Sequence, residues 1–378
     1  MKILQIVPSM HLTYSIWEEL ESIAKILRDM GVQTGVYCDQ PTRYMTERGI
    51  LPIAQNFPKL NGEDVLIYHK CINAALQLNL SEFPCRKLMR FHGCIPPIDF
   101  HKYHTKLEFD AKDCQEELCE IALEIDYCVG TTSFHKSMLQ VLKYEVPIAI
   151  CPPITTFQSF LKTPDSQILE QYEGDDCVNF LYTEPLMPQH HVEDVIQIFY
   201  YYQKYCNAHS RLFLVGDDTE VKYYTHQLKR YVEALELDQV IFTGRVTVTQ
   251  QLSYFRLANL YVDASGNTEF CLSLIEAMYF GVPVLANDNL NHRFILGEDA
   301  YFYNNPDDHA GPYAELEAAL LANRILTDLN LRREIIAEQR RQQQKFSYNT
   351  LKQQLQSILQ DFLETVSPRQ RPKGKIMY

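Results

Sequence analysis

The chain has 378 residues, of which 46% are apolar and 22% are charged, and this length and composition predict a folded protein of two domains. Its formal net charge of −13 argues against a protein that wraps DNA or RNA, so we expect no nucleic-acid partner. No apolar run reaches about 18 residues, which predicts that no segment spans a membrane.

Apolar segments alternate with helical segments through the first half of the chain. The opening KILQIVP predicts a strand rather than a secretory signal, because Pro8 and polar residues end the apolar run. Ile16, Leu20, Ile23 and Leu27 then recur at helical spacing. The later segments are the apolar runs TGVYC, DVLIYH, KLMRFH, DYCVG and VPIAI and the helical stretches 107–124 and 132–143. Near-continuous apolar strands between helices indicate a parallel sheet that is covered on both faces.

The second half restarts the same pattern after the acidic segment EGDD at 173–176, which we interpret as a linker. Its apolar runs are VNFLYT, RLFLVG, QVIFTG, NLYVDA and VPVLA. We therefore predict domains at 1–172 and 173–345, a final helix within 346–365 and a tail at 366–378. Two doubly wound, Rossmann-like α/β domains in tandem place a ligand cleft between the carboxyl ends of two parallel sheets.

The tail and the cysteines bear on where the protein acts. The sequence PRQRPKGKIMY has four cations and no acid, and we predict that this basic tail is flexible. A second interpretation is weak attraction to an anionic membrane surface, worth about 1 kcal/mol per cation. Eleven cysteines without a CxxC pair suit reduced thiols. We therefore expect a cytoplasmic protein, and the second interpretation would add peripheral contact with the inner face of the membrane.

Histidine and acidic residues give no metal-binding pattern. His101 and His104 in HKYHTK are three residues apart, but no third ligand clusters with them in the sequence. No Asp-x-Asp pair ends a predicted strand. The sequence therefore predicts neither a structural nor a catalytic metal ion.

The stretch TEFCLSLIEAMYFGVPVLA places a carboxylate in an otherwise apolar helix. This helix follows the strand NLYVDA, so the backbone N–H groups of Phe270, Cys271 and Leu272 at its start suit a phosphate. One turn later, Glu276 could accept hydrogen bonds from sugar hydroxyls. Alternatively, Ser273 and Glu276 form a capping box with a purely structural role. The spacing leaves both interpretations open.

Residues 178–306 resemble the carboxyl-terminal domain of family-4 glycosyltransferases, which have the GT-B fold. The matching stretches are RLFLVGDD, VIFTGRV, LSYFRLANLYVDAS, EFCLSLIEAMYFGVPVLAND and AYFYNNPDD. The first half is similar to a bacterial branch of that family at DVLIYHKCI, KLMRFHGCIPPIDF and DYCVGTTSFHKSML. The resemblance implies a retaining transferase with the sugar donor on the second domain and the acceptor on the first. It also implies that the last helix packs back on the first domain.

The resemblance assigns roles to four residues that match the family's motifs. Glu276 matches the second acid of the Glu-x7-Glu motif, which holds the ribose of the donor. His92 matches the first-domain histidine near the transferred sugar, although a histidine with satisfied hydrogen bonds at a strand end is an alternative. Gly216 matches the glycine that ends the strand before the nucleotide, and Arg245 lies where the backbone meets the base.

Other positions depart from the family's pattern. Thr268 stands where the first glutamate of the motif is expected, and Glu269 is one residue out of register. The arginine and lysine that grip the phosphates are replaced by Pro185 and His191. A pyrophosphate leaving group gains negative charge, so the loss of these cations weakens the case for turnover. His190 and His191 could substitute only when protonated, which predicts donor binding that strengthens as the pH falls through about 6.5.

Three functions remain compatible with this pattern. The first is a glycosyltransferase that moves a sugar from a nucleotide diphosphate to a cell-surface glycan, lipid-linked or protein acceptor, with no further cofactor. The second is an inactive homologue that acts as a binding module or as a partner of an active glycosyltransferase. The third is another nucleotide-sugar enzyme of the GT-B fold, such as an epimerase.

Overall fold

The computed structural model describes residues 1–8, 14–71, 78–266, 269–304 and 313–369. The chain divides into two compact units, which we call the first and second domains. The first domain comprises Met1–Pro97, Lys106–Thr156 and Ser347–Tyr378, and the second comprises Ile98–Thr105 and Phe157–Phe346.

The first domain contains a sheet of seven parallel strands. These are β1 (Ile3–Val7), β2 (Val36–Cys38), β3 (Leu51–Pro52), β4 (Val65–Lys70), β5 (Arg86–Phe91), β6 (Tyr127–Gly130) and β7 (Ile148–Ile150). Their order across the sheet is β3-β2-β1-β4-β5-β6-β7. Ile67 on β4 pairs with Gln5 on β1 and with Leu88 on β5. Both central strands β4 and β5 are buried along their whole length, as expected for a parallel sheet that is covered on both faces.

Helices cover the faces of this sheet. They are α1 (Tyr14–Asp29), α2 (Arg43–Glu47), α3 (Ile53–Asn56), α4 (Thr105–Glu120), α5 (Ser133–Val141) and the last helix, α14 (Tyr348–Thr365). Leu351, Leu359 and Phe362 of α14 are buried in one apolar cluster with Ile3 and Val65 of the sheet. Each fully buried leucine stabilises the fold by about 1.5–3 kcal/mol, so α14 is an integral part of the first domain.

The second domain contains a sheet of six parallel strands. These are β8 (Val178–Tyr182), β9 (Ser210–Val215), β10 (Val240–Gly244), β11 (Leu260–Asp263), β12 (Val284–Asn287) and β13 (Phe302–Tyr303), in the order β10-β9-β8-β11-β12-β13. Its helices are α6 (Ser166–Tyr172), α7 (Val192–Tyr205), α8 (Lys222–Ala234), α9 (Val248–Leu257), α10 (Leu272–Phe280), α11 (Leu290–Leu296), α12 (Ala314–Thr327) and α13 (Leu329–Gln343). Phe180 on β8 pairs with Leu212 on β9 and with Leu260 on β11.

The boundaries between the domains differ from the predicted ones. The first boundary lies between 156 and 157 rather than at 172, because α6 belongs to the second domain. The N–H of Asp165 donates to the Thr249 carbonyl at 3.0 Å, and the hydroxyl of Ser253 donates to the Asp165 carbonyl at 2.9 Å. At the other end, Phe346 is buried in the core of the second domain, so that domain ends one residue later than predicted.

The start of the basic tail is bound rather than flexible. Arg369 donates to the carboxylate of Asp126 at 2.9 Å and to the Glu124 carbonyl at 2.8 Å. Val366 packs against the apolar cluster that contains α14. The prediction of a flexible tail is therefore wrong for 366–369, and its remaining residues, 370–378, lie outside the described residues.

The strand order of each sheet determines where a ligand can bind. In the first sheet the order reverses between β1 and β4, and in the second it reverses between β8 and β11. The loops that leave two such strands diverge to opposite faces and open a crevice at the carboxyl edge of the sheet. The loop 183–191 after β8 and the described residues 264–266 and 269–271 after β11 therefore define the candidate site of the second domain.

The helices bear on whether the chain crosses a membrane, and the cysteines bear on whether it forms disulfide bonds. Among the described residues, none of the helices combines the length and the apolarity that crossing a membrane requires. All eleven cysteines are free thiols.

Candidate functional site

The loops after β8 and β11 are tied to each other at the carboxyl edge of the second sheet. The N–H of Gly266 donates to the Gln189 carbonyl at 3.1 Å. Nδ1 of His190 lies 3.1 Å from the hydroxyl of Ser265. One backbone and one side-chain contact therefore hold the crevice at the switch point in a defined shape.

The helix α10 begins without a side-chain cap. Its N-cap is Cys271, no side chain caps this end, and Ser273 already lies inside the helix. The capping-box alternative for Ser273 and Glu276 is therefore wrong. Instead, Oε2 of the partly exposed Glu276 accepts a hydrogen bond from Nε2 of Gln251 on α9 at 2.9 Å. Its assignment to a ribose stays a prediction, and the geometry leaves this carboxylate at the helix surface.

The other residues predicted around the start of α10 have different surroundings. Phe270 packs edge-on against Phe346, with ring centroids 6.0 Å apart, and Leu272 is partly buried against the same core. Oε1 of Glu269 lies 3.4 Å from Nε2 of His190. Thr268 lies outside the described residues.

His190 and His191 differ in burial although they are adjacent in the sequence. His190 is buried, and burial lowers the pKa of its imidazole below the ordinary 6.5. It is therefore neutral near pH 7, and the predicted strengthening of binding near pH 6.5 does not apply to it. His191 is partly exposed and forms the N-cap of α7 in the left-handed region, with φ of 47° and ψ of 49°.

Gly216 and Arg245 follow neighbouring strands of the same sheet. A Cβ atom on Gly216 would lie 2.0 Å from the carbonyl oxygen of Glu184 and 2.7 Å from its carbon. Only glycine fits there, because the loop after β8 passes directly over it. Arg245 follows β10 and is exposed.

The switch point of the first sheet contains a buried chain of polar side chains. Oε1 of Gln5 lies 2.9 Å from Nε2 of His69, and Nδ1 of His69 lies 3.1 Å from Nε2 of His92. Nδ1 of His92 lies 3.5 Å from Oε2 of Glu19, and Oε1 of Glu19 accepts from Nε and Nη2 of Arg90 at 2.9 and 2.6 Å. All five residues are buried.

The proton positions in this chain follow from its fixed end. The amide nitrogen of Gln5 donates to the Leu20 carbonyl at 3.2 Å, so the amide oxygen of Gln5 accepts from Nε2–H of His69. Nδ1 of a neutral His69 then accepts from Nε2–H of His92. Burial lowers the pKa of both imidazoles well below 6.5, so both are neutral near pH 7. In this tautomer Nδ1 of His92 is an acceptor that faces another acceptor, the Glu19 carboxylate at 3.5 Å, so only Nε2 has a complementary partner, and both interpretations of His92 stay predictions.

Sequence reasoning named His92 but not its partners. A glutamine inside the apolar run KILQIVP and a histidine at the end of DVLIYH were the available signals. A polar residue in a fully buried strand needs a polar partner, and the parallel pairing of β1, β4 and β5 provides one.

Residues 172–342 match the family described as "Glycosyl transferases group 1". This match lies entirely within the second domain. A shorter segment of 108 residues is 28% identical to alpha-monoglucosyldiacylglycerol synthase of Streptococcus pneumoniae (strain ATCC BAA-255 / R6). That segment spans 28% of this chain and only 24% of the synthase.

Solved structures resemble the whole chain. A glycosyltransferase from Rickettsia africae ESF-5 superimposes with a TM-score of 0.70 at 16% identity, covering 97% of this chain and 99% of that one. Sucrose-phosphate synthase from Thermosynechococcus elongatus gives 0.70 at 14% identity, covering 97% and 100%. HepE of Anabaena in complex with UDP gives 0.68 at 15% identity, covering 96% and 100%. These similarities confirm the predicted GT-B fold.

Carboxylates outnumber cationic side chains at the switch point of the second domain. Residues 183–191 and 264–271 include no lysine or arginine. Glu184, which sequence reasoning missed, follows β8 directly. Burial raises the pKa of Glu184 well above its ordinary 4.5, and the neighbouring carboxylates of Glu269, Asp263 and Glu276 raise it further. The raised pKa favours the uncharged form of Glu184 over a wider pH range than that of an exposed glutamate.

The raised pKa of Glu184 predicts a pH-dependent effect of Glu184→Gln. The Glu184 carboxyl group binds its proton more tightly in the folded state than in the unfolded state. The stability that this group contributes is therefore complete below about pH 4.3, and it is lost as the pH rises through the folded-state pKa. Glutamine cannot ionise. We expect equal free energies of unfolding for variant and wild type near pH 4, and an advantage for the variant that grows towards pH 8.

Urea denaturation at intervals of one pH unit measures this difference. The matched control is Glu233→Gln, on an exposed position of α8, which should show no pH-dependent difference from wild type. A difference for Glu184→Gln that stays constant from pH 4 to 8 would contradict the raised pKa.

Proposed function

We propose that this protein is a retaining glycosyltransferase that moves a sugar from a nucleotide diphosphate to a glycan, lipid-linked or protein acceptor for the cell surface. Support for the donor class comes from the group 1 domain at 172–342 and from the similarity in fold to HepE, solved with UDP-glucose. Lipid-linked and protein acceptors are both included, because the similar proteins are an alpha-monoglucosyldiacylglycerol synthase and the pneumococcal O-GlcNAc transferase GtfA.

The observation that carries the proposal is the position of Glu276. It lies one turn into α10, next to the switch point of the second sheet, and its carboxylate is not used to cap the helix. Oε2 of this carboxylate accepts from the uncharged amide of Gln251 at 2.9 Å. A carboxylate accepts two hydrogen bonds readily, as the two adjacent hydroxyls of a ribose require.

The start of α10 is the proposed binding place of the phosphates. The N–H groups of its first turn, at Cys271 and Leu272, have no partner within the helix and carry the partial positive charge of its dipole. Protonation of Glu184 reduces the repulsion that two phosphates would meet there. We propose that the transfer itself uses no metal ion, and we assign His92, neutral and at the carboxyl end of β5, to the side of the transferred sugar.

Replacing Glu276 with alanine should weaken donor binding by about 10-fold or more. A hydrogen bond to a charged group is worth about 1.5–3 kcal/mol, and the ribose loses its acceptor. The measurement is a thermal-shift screen of wild type against UDP, GDP, ADP and their sugar conjugates, followed by titration calorimetry on the best ligand. A ligand at 100 times its Kd adds about 2.7 kcal/mol to stability, which such a screen detects.

The control for this test is Glu233→Ala, at an exposed helical position of the same domain. It should bind the donor as wild type does. The free energy of unfolding of Glu276→Ala should stay within about 1 kcal/mol of wild type, because no cap is lost. Equal donor affinity for wild type and Glu276→Ala would remove the ribose assignment.

A second function is favoured by the absence of cations from residues 183–191 and 264–271. An inactive GT-B protein that pairs with an active glycosyltransferase needs no grip on a pyrophosphate. The solved GtfA/B complex contains a chain of the same fold, at a TM-score of 0.67 and 11% identity, with 96% of this chain and 100% of that one covered. Failure of every nucleotide to bind from pH 5.5 to 8, with co-purification of a second glycosyltransferase, would favour this function.

We place the protein in the cytoplasm, since eleven free thiols suit a reducing compartment. Binding to vesicles of anionic lipid, lost when residues 370–378 are removed, would support contact with the inner face of the membrane.

A further inference from the structure

Three buried side chains with metal-binding atoms meet behind the start of α10. Asp263 ends β11, Cys271 is the N-cap of α10, and His292 lies on α11. Their ligand atoms lie within 4.8 Å of one another. The side chains are almost completely buried, with 0% of Asp263, 2% of Cys271 and 0% of His292 exposed. Within the described residues, no other histidine, cysteine or acidic side chains form such a group of three.

The distances within this group fit a tetrahedral zinc ion. Zinc bonds of about 2.3 Å to sulfur and 2.0–2.1 Å to nitrogen or oxygen separate S from N by about 3.5 Å and N from O by about 3.4 Å. In the protein, Sγ of Cys271 lies 3.6 Å from Nε2 of His292, and Nε2 of His292 lies 3.7 Å from Oδ1 of Asp263. These two separations are close to the zinc values, and the third pair, Cys271 and Asp263, lies within 4.8 Å, so the side chains need local adjustment to reach one ion.

The imidazole of His292 is oriented as a metal ligand. Its Nδ1 lies 2.7 Å from the carbonyl oxygen of Asn287, and a carbonyl only accepts, so Nδ1 carries the hydrogen. The Asn289 amide nitrogen, 3.0 Å from the same Nδ1, donates to the Ser265 carbonyl at 2.9 Å. Nε2 therefore directs a lone pair towards Cys271 and Asp263. Metal-binding histidines in proteins are fixed in the same way by a hydrogen bond from their other nitrogen.

The carboxylate of Asp263 has one oxygen to spare. Its Oδ1 accepts from the N–H of Ser265 at 2.7 Å, whereas its buried Oδ2 has no hydrogen-bond partner in the described structure. A buried carboxylate oxygen without a partner is costly, and a cation bound through both carboxylate oxygens would satisfy it while Oδ1 keeps its bond to Ser265. A divalent ion would also balance the two negative charges of this carboxylate and a Cys271 thiolate.

We propose that Asp263, Cys271 and His292 bind a zinc ion that ties the end of β11 to α11 and to the start of α10. Sulfur, imidazole and carboxylate together suit zinc rather than magnesium or calcium, which prefer oxygen alone. Three protein ligands leave a fourth position for a water molecule. The proposal opposes the sequence-based expectation of no structural metal. That expectation rested on local spacing, whereas these ligands come from three separate elements.

The experiment measures zinc and then cobalt in the full-length protein. Protein from cells grown with added zinc, after dialysis against a metal-free buffer, should contain one zinc per chain by elemental analysis. Protein from cobalt-grown cells should show the near-ultraviolet charge-transfer band of a cobalt–thiolate bond. Cys271→Ser should lose this band and bind zinc at least 100-fold more weakly, because loss of a ligand exceeds the 10–100-fold cost of losing an outer partner. Cys177→Ser, a partly exposed thiol of the same domain, should keep both properties.

A second measurement uses the wild-type protein alone and so does not depend on the folding of a variant. Its melting temperature should fall when a chelator removes the ion and recover with zinc but not with magnesium. Folded wild-type protein that contains no zinc or cobalt would overturn the proposal, and the three residues would then form a hydrogen-bonded group alone. A cobalt–thiolate band that persists in folded Cys271→Ser would also overturn it.

Discussion

Replacing Glu19 with glutamine should lower the free energy of unfolding of the first domain by about 3–5 kcal/mol. Glu19 and Arg90 form an ion pair at 2.6 Å, and only 1% and 3% of their side chains are exposed. The substitution keeps the shape but leaves the guanidinium as a buried charge with no counter-ion, which is strongly destabilising. Urea denaturation measures the free energy of unfolding. The fluorescence of Trp17, the single tryptophan, reports it, since Trp17 lies on α1 as Glu19 does.

The matched control is Glu21→Gln, the same change at an exposed position of α1. It should alter stability by no more than about 0.5 kcal/mol. The double variant Glu19→Gln with Arg90→Gln should recover part of the loss, because neither charge is then left alone. Equal stabilities for Glu19→Gln and Glu21→Gln would show that the buried pair contributes nothing.

Replacing Gly216 with alanine should destabilise the second domain by about 1–3 kcal/mol and abolish tight donor binding. The new methyl group would stand 2.0 Å from the Glu184 carbonyl oxygen, far inside van der Waals contact. The new Cβ and the Glu184 carbonyl oxygen are both fixed to the backbone, so no side chain can rotate away to relieve the clash. The loop after β8 must move as a whole, and such overpacking is destabilising. The displaced loop is the one that lines the switch point beside α10.

Gly266→Ala is the control for this substitution. Its Cβ would meet its nearest neighbour, the Gln189 carbonyl oxygen, at 3.7 Å, which is ordinary contact in the same crevice. The melting temperature and the donor affinity of Gly266→Ala should therefore stay near those of wild type. Both quantities should fall in Gly216→Ala. A Gly216→Ala protein with wild-type stability would mean that the loop adjusts at no cost.

The strands could be predicted well because parallel sheets bury both faces of each strand. Runs such as DVLIYH and RLFLVG are mostly apolar, and they match β4 and β9 closely. The boundary at 156 could not be predicted in the same way. The helix α6 has only seven residues, and its assignment to the second domain depends on hydrogen bonds to Ser253 and Thr249, far along the chain.

The candidate site could be predicted only where one residue carries the signal alone. Glu276 and Gly216 stand out because an acid in an apolar helix and a glycine after a strand are local features. Other features depend on which loops the fold brings together. These are the raised pKa of Glu184 and the contact between Asp263 and His292. His190 and His191 are adjacent residues of the same type, so the sequence cannot distinguish them. The structure does, because His190 is buried and His191 is partly exposed.

The place of α14 in the first domain has a consequence for synthesis on the ribosome. Leu351, Leu359 and Phe362 complete the apolar cluster around Ile3 and Val65, yet they are translated after the entire second domain. Domains usually fold in the order in which they emerge. Here the continuous stretch 157–346 can close its core first, while the nascent amino-terminal half waits with an open face for the last helix. The first domain is therefore the part of this protein most exposed to chaperones and to aggregation during translation.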